Sequence, residues 1–448
     1  MVSDRDPGSE VADLLGVLIR NRCVSTREGL SSLGNESLNA ATLRTVVEGP
    51  GVEVDWHEAI DGRASLVARI AGSNPTAPSL AFVGHTDVVP ADEADGWTRD
   101  PFGGELADGE VWGRGAVDML NQTASMALTV RRLADEGFRP RGDLVFWAVP
   151  DEENGGYQGA KQVIESNHDL VRTDFALTEV GGAARRTPNG LVVDASVSDK
   201  GVGGIHIAFK GRQSHASLPH EANNPLFKAA EAIRRIEAWR PDIRISDPWR
   251  RWVAAQGFDV ELAAALVDPN RIDEVLDMLP PGMASHAHAC TRCTAVPTII
   301  KGGDKINTIP QTVELGVNFR PALGDSAEMM AQEFRDLLSD LIEDDGMLAI
   351  HQDATASPID TPLWDVLASV TDRAHQGATL VPAMLAAWTD ASWLRPAGTT
   401  TYGFGLLSEK LSPKEYWSRF HGVDERIDIE SLGLSAVGWY EVAKRFLN

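Results

Sequence analysis

Two opening segments, residues 10–20 and 37–47, carry apolar residues at the spacing of an amphipathic helix. Short apolar runs then alternate with helical stretches. LVARIAG (66–72), SLAFVGH (79–85), DLVFWAV (143–149) and DFALTE (174–179) predict strands. Between the second and third of these, MLNQTASMALTVRRLADEG predicts a helix ending at Gly137, a residue suited to the left-handed position after a helix. Strand–helix alternation of this kind implies an α/β layer with a mainly parallel sheet. In such sheets the functional site gathers at the carboxyl ends of the strands. His85, Glu152, Glu153 and Glu179 each lie at or just after such an end.

Beyond Lys200 the pattern changes. GGIHIAFKG, AVPTIIKGG, TVELGVNFR and MLAIHQDA are strand-like, and helical stretches follow the first (224–238) and the third (325–343). The order strand–helix–strand–strand–helix–strand predicts an α+β, ferredoxin-like βαββαβ unit. Residues 240–290 read as a helical insertion after its first helix. The α/β pattern resumes near Pro358 and runs to the last residue. The chain therefore divides into a discontinuous domain, 1–200 and 357–448, and an inserted domain, 201–356.

Composition narrows the partners. The 448 residues are 43% hydrophobic and carry a net charge of −24, which argues against a nucleic-acid backbone and an anionic membrane surface as partners. No apolar run reaches the roughly 18–20 residues that span a bilayer. The polar N-terminus does not resemble a signal peptide, and the expected address is the cytoplasm. Three cysteines are too few for a disulfide framework. Cys290 and Cys293 have redox-motif spacing but are expected to be two thiols near the start of a buried strand.

The remaining signal is chemical. His85, Asp118, Glu152, Glu153, Glu179 and His421 give two histidines and a surplus of carboxylates at the ends of apolar runs. That number and hardness of donors suits two zinc ions sharing one carboxylate. Asp87, two residues after His85, is placed to accept from the second imidazole nitrogen and fix its tautomer. Asp118 follows a Gly-rich turn and is expected at the N-cap of the next helix, where it would cap or bridge metals. Adjacent residues cannot both address one metal with the same geometry, so one of Glu152 and Glu153 should ligate while the other acts as general base.

GHTDVVP, GRGAVDM, the Glu–Glu pair after an apolar strand, Glu179 and the late His421 resemble the dinuclear-zinc aminoacylase, carboxypeptidase G and succinyl-diaminopimelate desuccinylase family. GRQSHASLPHEANNP, TAVPTIIKGGDKINTIPQTVELGVNFRP and YGFGL with RFHGVDERI are similar to its carboxypeptidase S and N-acyl-amino-acid hydrolase branch. The resemblance implies a zinc-peptidase-like domain with an inserted lid and dimerisation domain. It implies Asp118 as the bridging ligand, His85 with Glu179 on one zinc, and Glu153 with His421 on the other. Glu152 would be the general base, with Asp87 orienting His85. His215 would polarise the scissile carbonyl across a homodimer, and Asn307 and Arg320 would hold substrate. A cis peptide between Asp118 and Met119 is also implied. The implied activity is hydrolysis of N-acyl amino acids or C-terminal peptide residues with two Zn2+ per subunit, Co2+ or Mn2+ being the alternatives. The alternative activity is that of a dipeptidase or an N-carbamoyl or N-succinyl amino acid hydrolase. Two departures stand out: Leu120 replaces a lysine common in the family, and Trp388 interrupts a run of small residues. Glu179, where some dipeptidases and aminopeptidases carry Asp, favours the acylase or carboxypeptidase side.

Overall fold

The computed structural model describes residues 6–25, 34–343 and 346–448. Its larger sheet runs in the spatial order Glu53–His57, Ser65–Ile70, Leu144–Val149, Leu80–His85, Phe175–Thr178, Thr400–Gly403, Gly190–Asp199 and Thr355–Ala356. Thr379–Leu385 and Gly181–Thr187 also pair with Gly190–Asp199. The four strands from Leu144–Val149 to Thr400–Gly403 run parallel, and antiparallel strands flank them. Thr400–Gly403 enters this sheet from beyond residue 357, beside strands from before residue 200.

The apolar runs are continuous, without polar alternation, because both sheet faces are covered. Leu80, Phe82, Leu144 and Phe146 face a core shared with the helices Pro7–Arg20, Leu120–Asp135 and Ile429–Phe446. Ala81, Val83, Val145 and Trp147 face the opposite side, where the helix Ala160–Val171 supplies Ala160 and Val163. Each Leu, Val or Phe among them contributes about 1.5–3 kcal/mol of burial. The sheet is therefore a rigid platform whose carboxyl-end loops carry the polar residues.

The second sheet is four-stranded, in the order Thr294–Lys301, Thr312–Arg320, Val202–Lys210, Met347–Gln352, with every pairing antiparallel. Helices Pro225–Ala238 and Ala327–Leu337 cover one face, over Ile205, Ile207, Phe209, Leu315 and Phe319. The chain order is that of the βαββαβ unit.

The insertion forms the helices Asp247–Ala255, Val260–Leu266, Ile272–Val275 and Pro281–Cys290. It packs against the larger sheet. Trp249, Trp252, Leu266, Ile272 and Cys290 share a core with Val192, Val381 and Met384. Trp249 and Trp252 stack at 5.1 Å, and Trp249 Nε1 donates to Leu266 O at 2.8 Å. Cys290 ends the last of these helices and Cys293 precedes the Thr294–Lys301 strand. Both thiols are buried and unbridged, but the strand is largely exposed, because it forms an edge of its sheet rather than the buried strand expected.

Candidate metal centre

His85 is the last residue of its strand, Glu179 follows the Phe175–Thr178 strand, and Glu152 opens a one-turn helix three residues after Val149. Asp118 precedes the helix Leu120–Asp135, and His421 lies between the helix Pro413–Arg419 and the strand Arg426–Asp428. These segments converge on one cage. Asp118 Oδ1 lies 3.1 Å from His85 Nε2, and Asp118 Oδ2 lies 3.1 Å from His421 Nε2. Glu179 Oε2 is 3.8 Å from the His85 nitrogen, and Glu153 Oε2 is 3.3 Å from the His421 nitrogen. Three donor groups result, His85–Asp118–Glu179, His85–Glu152–Glu153 and Asp118–Glu153–His421, each with donor atoms within 4.8 Å of one another. Asp118 belongs to the first and the last.

The electrostatics of the cage call for cations. Burial and the charge of Glu179 push Glu152 well above the usual carboxylate range, while burial and the charge of Asp118 do the same to Glu179. Burial and Asp118 push Glu153 up to about 7. Burial opposes protonation of His85, but its contacts with Asp118 and Asp87 and the charge of Glu179 raise it well above the ordinary imidazole value. Hydrogen bonds to Asp118 and Glu153 raise His421 to about 10. Burial works against an ionised Asp118 as well, yet the two imidazoles hold it below the usual range. A buried carboxylate cluster is costly without compensating charge. Two divalent cations would balance Asp118, Glu152, Glu153 and Glu179 with both imidazoles neutral. Glu153 Oε1 is buried without a hydrogen-bond partner, as a free ligand lone pair would be. The nitrogen and oxygen donor set fits borderline-hard divalent metals.

Several expectations need correction. The helix starts at Leu120 with Met119 in the cap position, so Asp118 caps nothing; its carboxylate lies between the imidazoles. No cis peptide bond occurs among the described residues, so Asp118–Met119 is trans. The trans form avoids about 3–4 kcal/mol, and Asp118 reaches both imidazoles without the cis geometry. His85 Nδ1 meets the backbone carbonyl of Asp87 at 2.9 Å, with the Asp87 carboxylate farther away at 3.5 Å. That carboxylate instead accepts from the backbone N–H groups of Glu152 (3.2 Å) and Glu153 (3.1 Å). Asp87 thus fixes the ligand strand and the Glu–Glu turn together.

The inserted domain carries the other candidates. Arg320 ends the Thr312–Arg320 strand, with Nη1 buried and unpartnered. Burial lowers its pKa, and the nearby Glu152 carboxylate acts in the opposite direction. His215 and Asn307 sit together: the Ser214–His215 strand pairs with Thr308–Ile309, and Ala216 N donates to Asn307 O at 2.9 Å. His215 is exposed, its Nδ1 2.7 Å from Ser217 Oγ, and among the described residues neither it nor Asn307 bonds to the cage. Leu120 is buried in the helix-covered core. Trp388 donates to Gln352 Oε1 at 3.0 Å and stands over Gly156, in the turn after the Glu–Glu pair.

Sequence reasoning missed a buried support. Arg63 Nη1 lies 2.8 Å from both Glu36 Oε1 and Asp151 Oδ1, with all three side chains at most 2% exposed. Asp151 holds a left-handed backbone (φ 71°) immediately before Glu152. Asp390, in the Trp388 loop, is also buried, and burial pushes it up to about 8. A charged residue in a flanking apolar stretch is the only sequence mark these carry.

Fold and cage together define a dinuclear metallohydrolase. The chain matches peptidase family M20/M25/M40 over residues 81–445, and it belongs to that family. It is 26% identical over 391 residues to the N-fatty-acyl-amino acid synthase/hydrolase PM20D1 of Xenopus tropicalis, covering 84% of this chain and 74% of that one. It is 36% identical over 165 residues to a succinyl-diaminopimelate desuccinylase of Maricaulis maris, a match spanning 37% of this chain and only 41% of that protein. Among solved structures, the M20 family metallo-carboxypeptidase Sso-CP2 from Sulfolobus solfataricus shares the fold, with TM-score 0.75, 17% identity and coverage of 98% and 99% of the two chains.

Proposed function

We propose that this chain hydrolyses the amide bond of an N-acyl amino acid, or of a small peptide's C-terminal residue, with two zinc ions per subunit. The observation that carries the substrate class is Arg320. A half-buried guanidinium whose Nε donates to Asn318 Oδ1 but whose buried Nη1 is unpartnered, in electrostatic reach of Glu152, wants a carboxylate acceptor beside the reacting centre. The free α-carboxylate of an amino-acid substrate supplies one, with Asn307 as a second anchor.

His85 and Glu179 would hold one ion, Glu153 and His421 the other, and Asp118 both. When bound, the metals would supply Lewis-acid polarisation and an acidified water. Glu152 takes the proton of the attacking water as the new C–O bond forms, then returns it to the amine nitrogen as the C–N bond breaks. His215 donates to the developing oxyanion. It resides on the inserted domain, proposed as 201–356, and acts in the partner subunit's site of a homodimer. Support for that dimer is the edge strand Thr294–Lys301, which leaves Val296, Ile299 and Ile300 exposed on an unpaired border. The free buried thiols suit the reducing cytoplasm, and among the described residues no helix is long and apolar enough to cross a membrane.

The test is a panel of N-acyl amino acids, their α-carboxamides, dipeptides, and N-carbamoyl and N-succinyl amino acids. Turnover of acyl amino acids with discrimination against the carboxamides supports the reading. Equal turnover of acid and carboxamide would remove Arg320 from its role, and preference for dipeptides would replace the substrate class.

A further inference from the structure

The ligands of the cage differ in how firmly the fold holds them. His85, Asp118, Glu153 and Glu179 have side chains at most 9% exposed. The His421 side chain is 55% exposed, on a loop, and its backbone is left-handed (φ 54°). A non-glycine residue rarely holds that conformation unless its surroundings impose it. A ligand so placed needs an external fixture.

That fixture is a buried ion pair that neither the metal cage nor the hydrolytic step uses. Glu425 is fully buried. Its Oε1 accepts from three consecutive-turn backbone N–H groups, Gly115 at 3.1 Å, Val117 at 2.7 Å and Asp118 at 3.1 Å. Its Oε2 accepts from Arg114 Nη1 at 2.7 Å. Arg114 in turn donates to Gly422 O (3.1 Å) and His421 O (3.3 Å), and its guanidinium lies over the Trp97 ring at 5.2 Å. Gly113 N adds a backbone bond to Glu425 O at 2.9 Å. One pair of side chains therefore stitches the Asp118 turn to the His421 loop from both directions: the acid from the histidine's loop holds the aspartate's amide, and the base from the aspartate's turn holds the histidine's carbonyl.

We propose that Arg114 and Glu425 are positioning residues that set the register between Asp118 and His421 and so complete the Asp118–Glu153–His421 half of the metal centre. The inference rests on the dinuclear reading above. His85 ends a central strand and Glu179 directly follows one, so their half depends on the pair only through the shared Asp118, and loss of the pair acts mainly on the His421 half. Groups that orient ligands from behind typically change metal affinity about 10–100-fold when removed.

The experiment titrates zinc into chelator-stripped full-length protein against a chromophoric zinc indicator, resolving the two dissociation constants. His421→Ala and Glu179→Gln assign each constant to its half. Glu425→Gln keeps the shape but loses the charge; the expected result is a weakening of the His421-half constant by about 10–100-fold, with the other half, which shares only Asp118 with the pair, weakened clearly less. In the double variant with His421→Ala the added loss at that half should be well below the loss Glu425→Gln gives on its own, since the pair acts there mainly through His421. Arg114→Lys keeps a cation with one donor centre and should give a smaller loss at the same half; it carries the test if Glu425→Gln does not fold. Equal weakening of both halves, or no change in either, overturns the proposal and leaves the pair a general scaffold. Wild-type protein that binds fewer than two zinc ions overturns the dinuclear reading instead.

Discussion

Replacing Glu152 and Glu153 separately by Gln separates proton transfer from ligation. Asp87 ties down both backbones through Glu152 N and Glu153 N, so the two side chains leave a common fixed turn. Glu153 points at His421 with Oε2 3.3 Å from the imidazole nitrogen, whereas Glu152 is 8% exposed and in the field of Arg320. Gln matches Glu in shape but carries no charge and cannot take up the proton. Loss of a positioned general base costs about 10²–10⁴ in rate, or about 3–5 kcal/mol of barrier at 1.36 kcal/mol per decade. Glu152→Gln should therefore lose that much kcat while keeping both metals and nearly the same KM. Glu153→Gln should instead lose one ion on dialysis and recover part of its turnover in excess zinc. The assay is metal content by plasma emission alongside steady-state kinetics on an N-acyl amino acid. A Glu152→Gln protein that keeps more than a tenth of wild-type kcat, or that loses metal as Glu153→Gln does, would refute the division of labour.

Four further outcomes are expected. Arg63→Met leaves Glu36 and Asp151 buried without their cation, and removing one partner of such a group costs about 3–5 kcal/mol; a loss below about 1 kcal/mol by urea denaturation would contradict the buried triad's role. Arg320→Lys should raise KM for N-acyl amino acids about tenfold or more, because an ammonium cannot reproduce the planar fork, and an unchanged acid-to-carboxamide preference counts against it. Lys200 is buried, its Nζ donates to Arg292 O and Thr294 Oγ1, and burial lowers it to about 8. Its folded value lies below its unfolded one, so its contribution to stability is present above about 10.5 and is lost as pH falls through about 8; the stability of wild type relative to Lys200→Met should climb across that window, and a flat difference would be contrary. His215→Ala should keep its metal and lose turnover, and mixing it with Glu152→Gln should restore activity through hybrid dimers; verified subunit exchange without recovery would remove the cross-subunit role.

The central strands were legible because both their faces are buried, which writes uninterrupted apolar runs into the sequence. The hairpin Gly181–Thr187 and Gly190–Asp199 was not, since GGAARRT shows neither alternation nor an apolar run. The polar edge strand Glu53–His57 escaped for a related reason: water covers most of it. Periodicity disclosed helices in the insertion without disclosing what their Trp249 and Trp252 face, because an apolar stripe does not name its partner. At the site, several residues that converge were legible from residue type, with His85, Glu152 and Glu179 at or just after strand ends. The support was less so: Glu425 acts through three backbone N–H groups and was not picked out, and Asp87 was read as the partner of His85 although it accepts from two backbone N–H groups, because backbone donors leave no mark in side-chain chemistry.

In the proposed mechanism Asp118 joins two metal sites into a single hydrolytic centre. The most direct test of this is the turnover of an N-acyl amino acid by metal-stripped protein as zinc is added back. The expected curve starts at no activity and saturates at two equivalents per chain, and Asp118→Ala stays inactive throughout. Full activity after verified stripping, or saturation at one equivalent with Asp118→Ala still active, would contradict it.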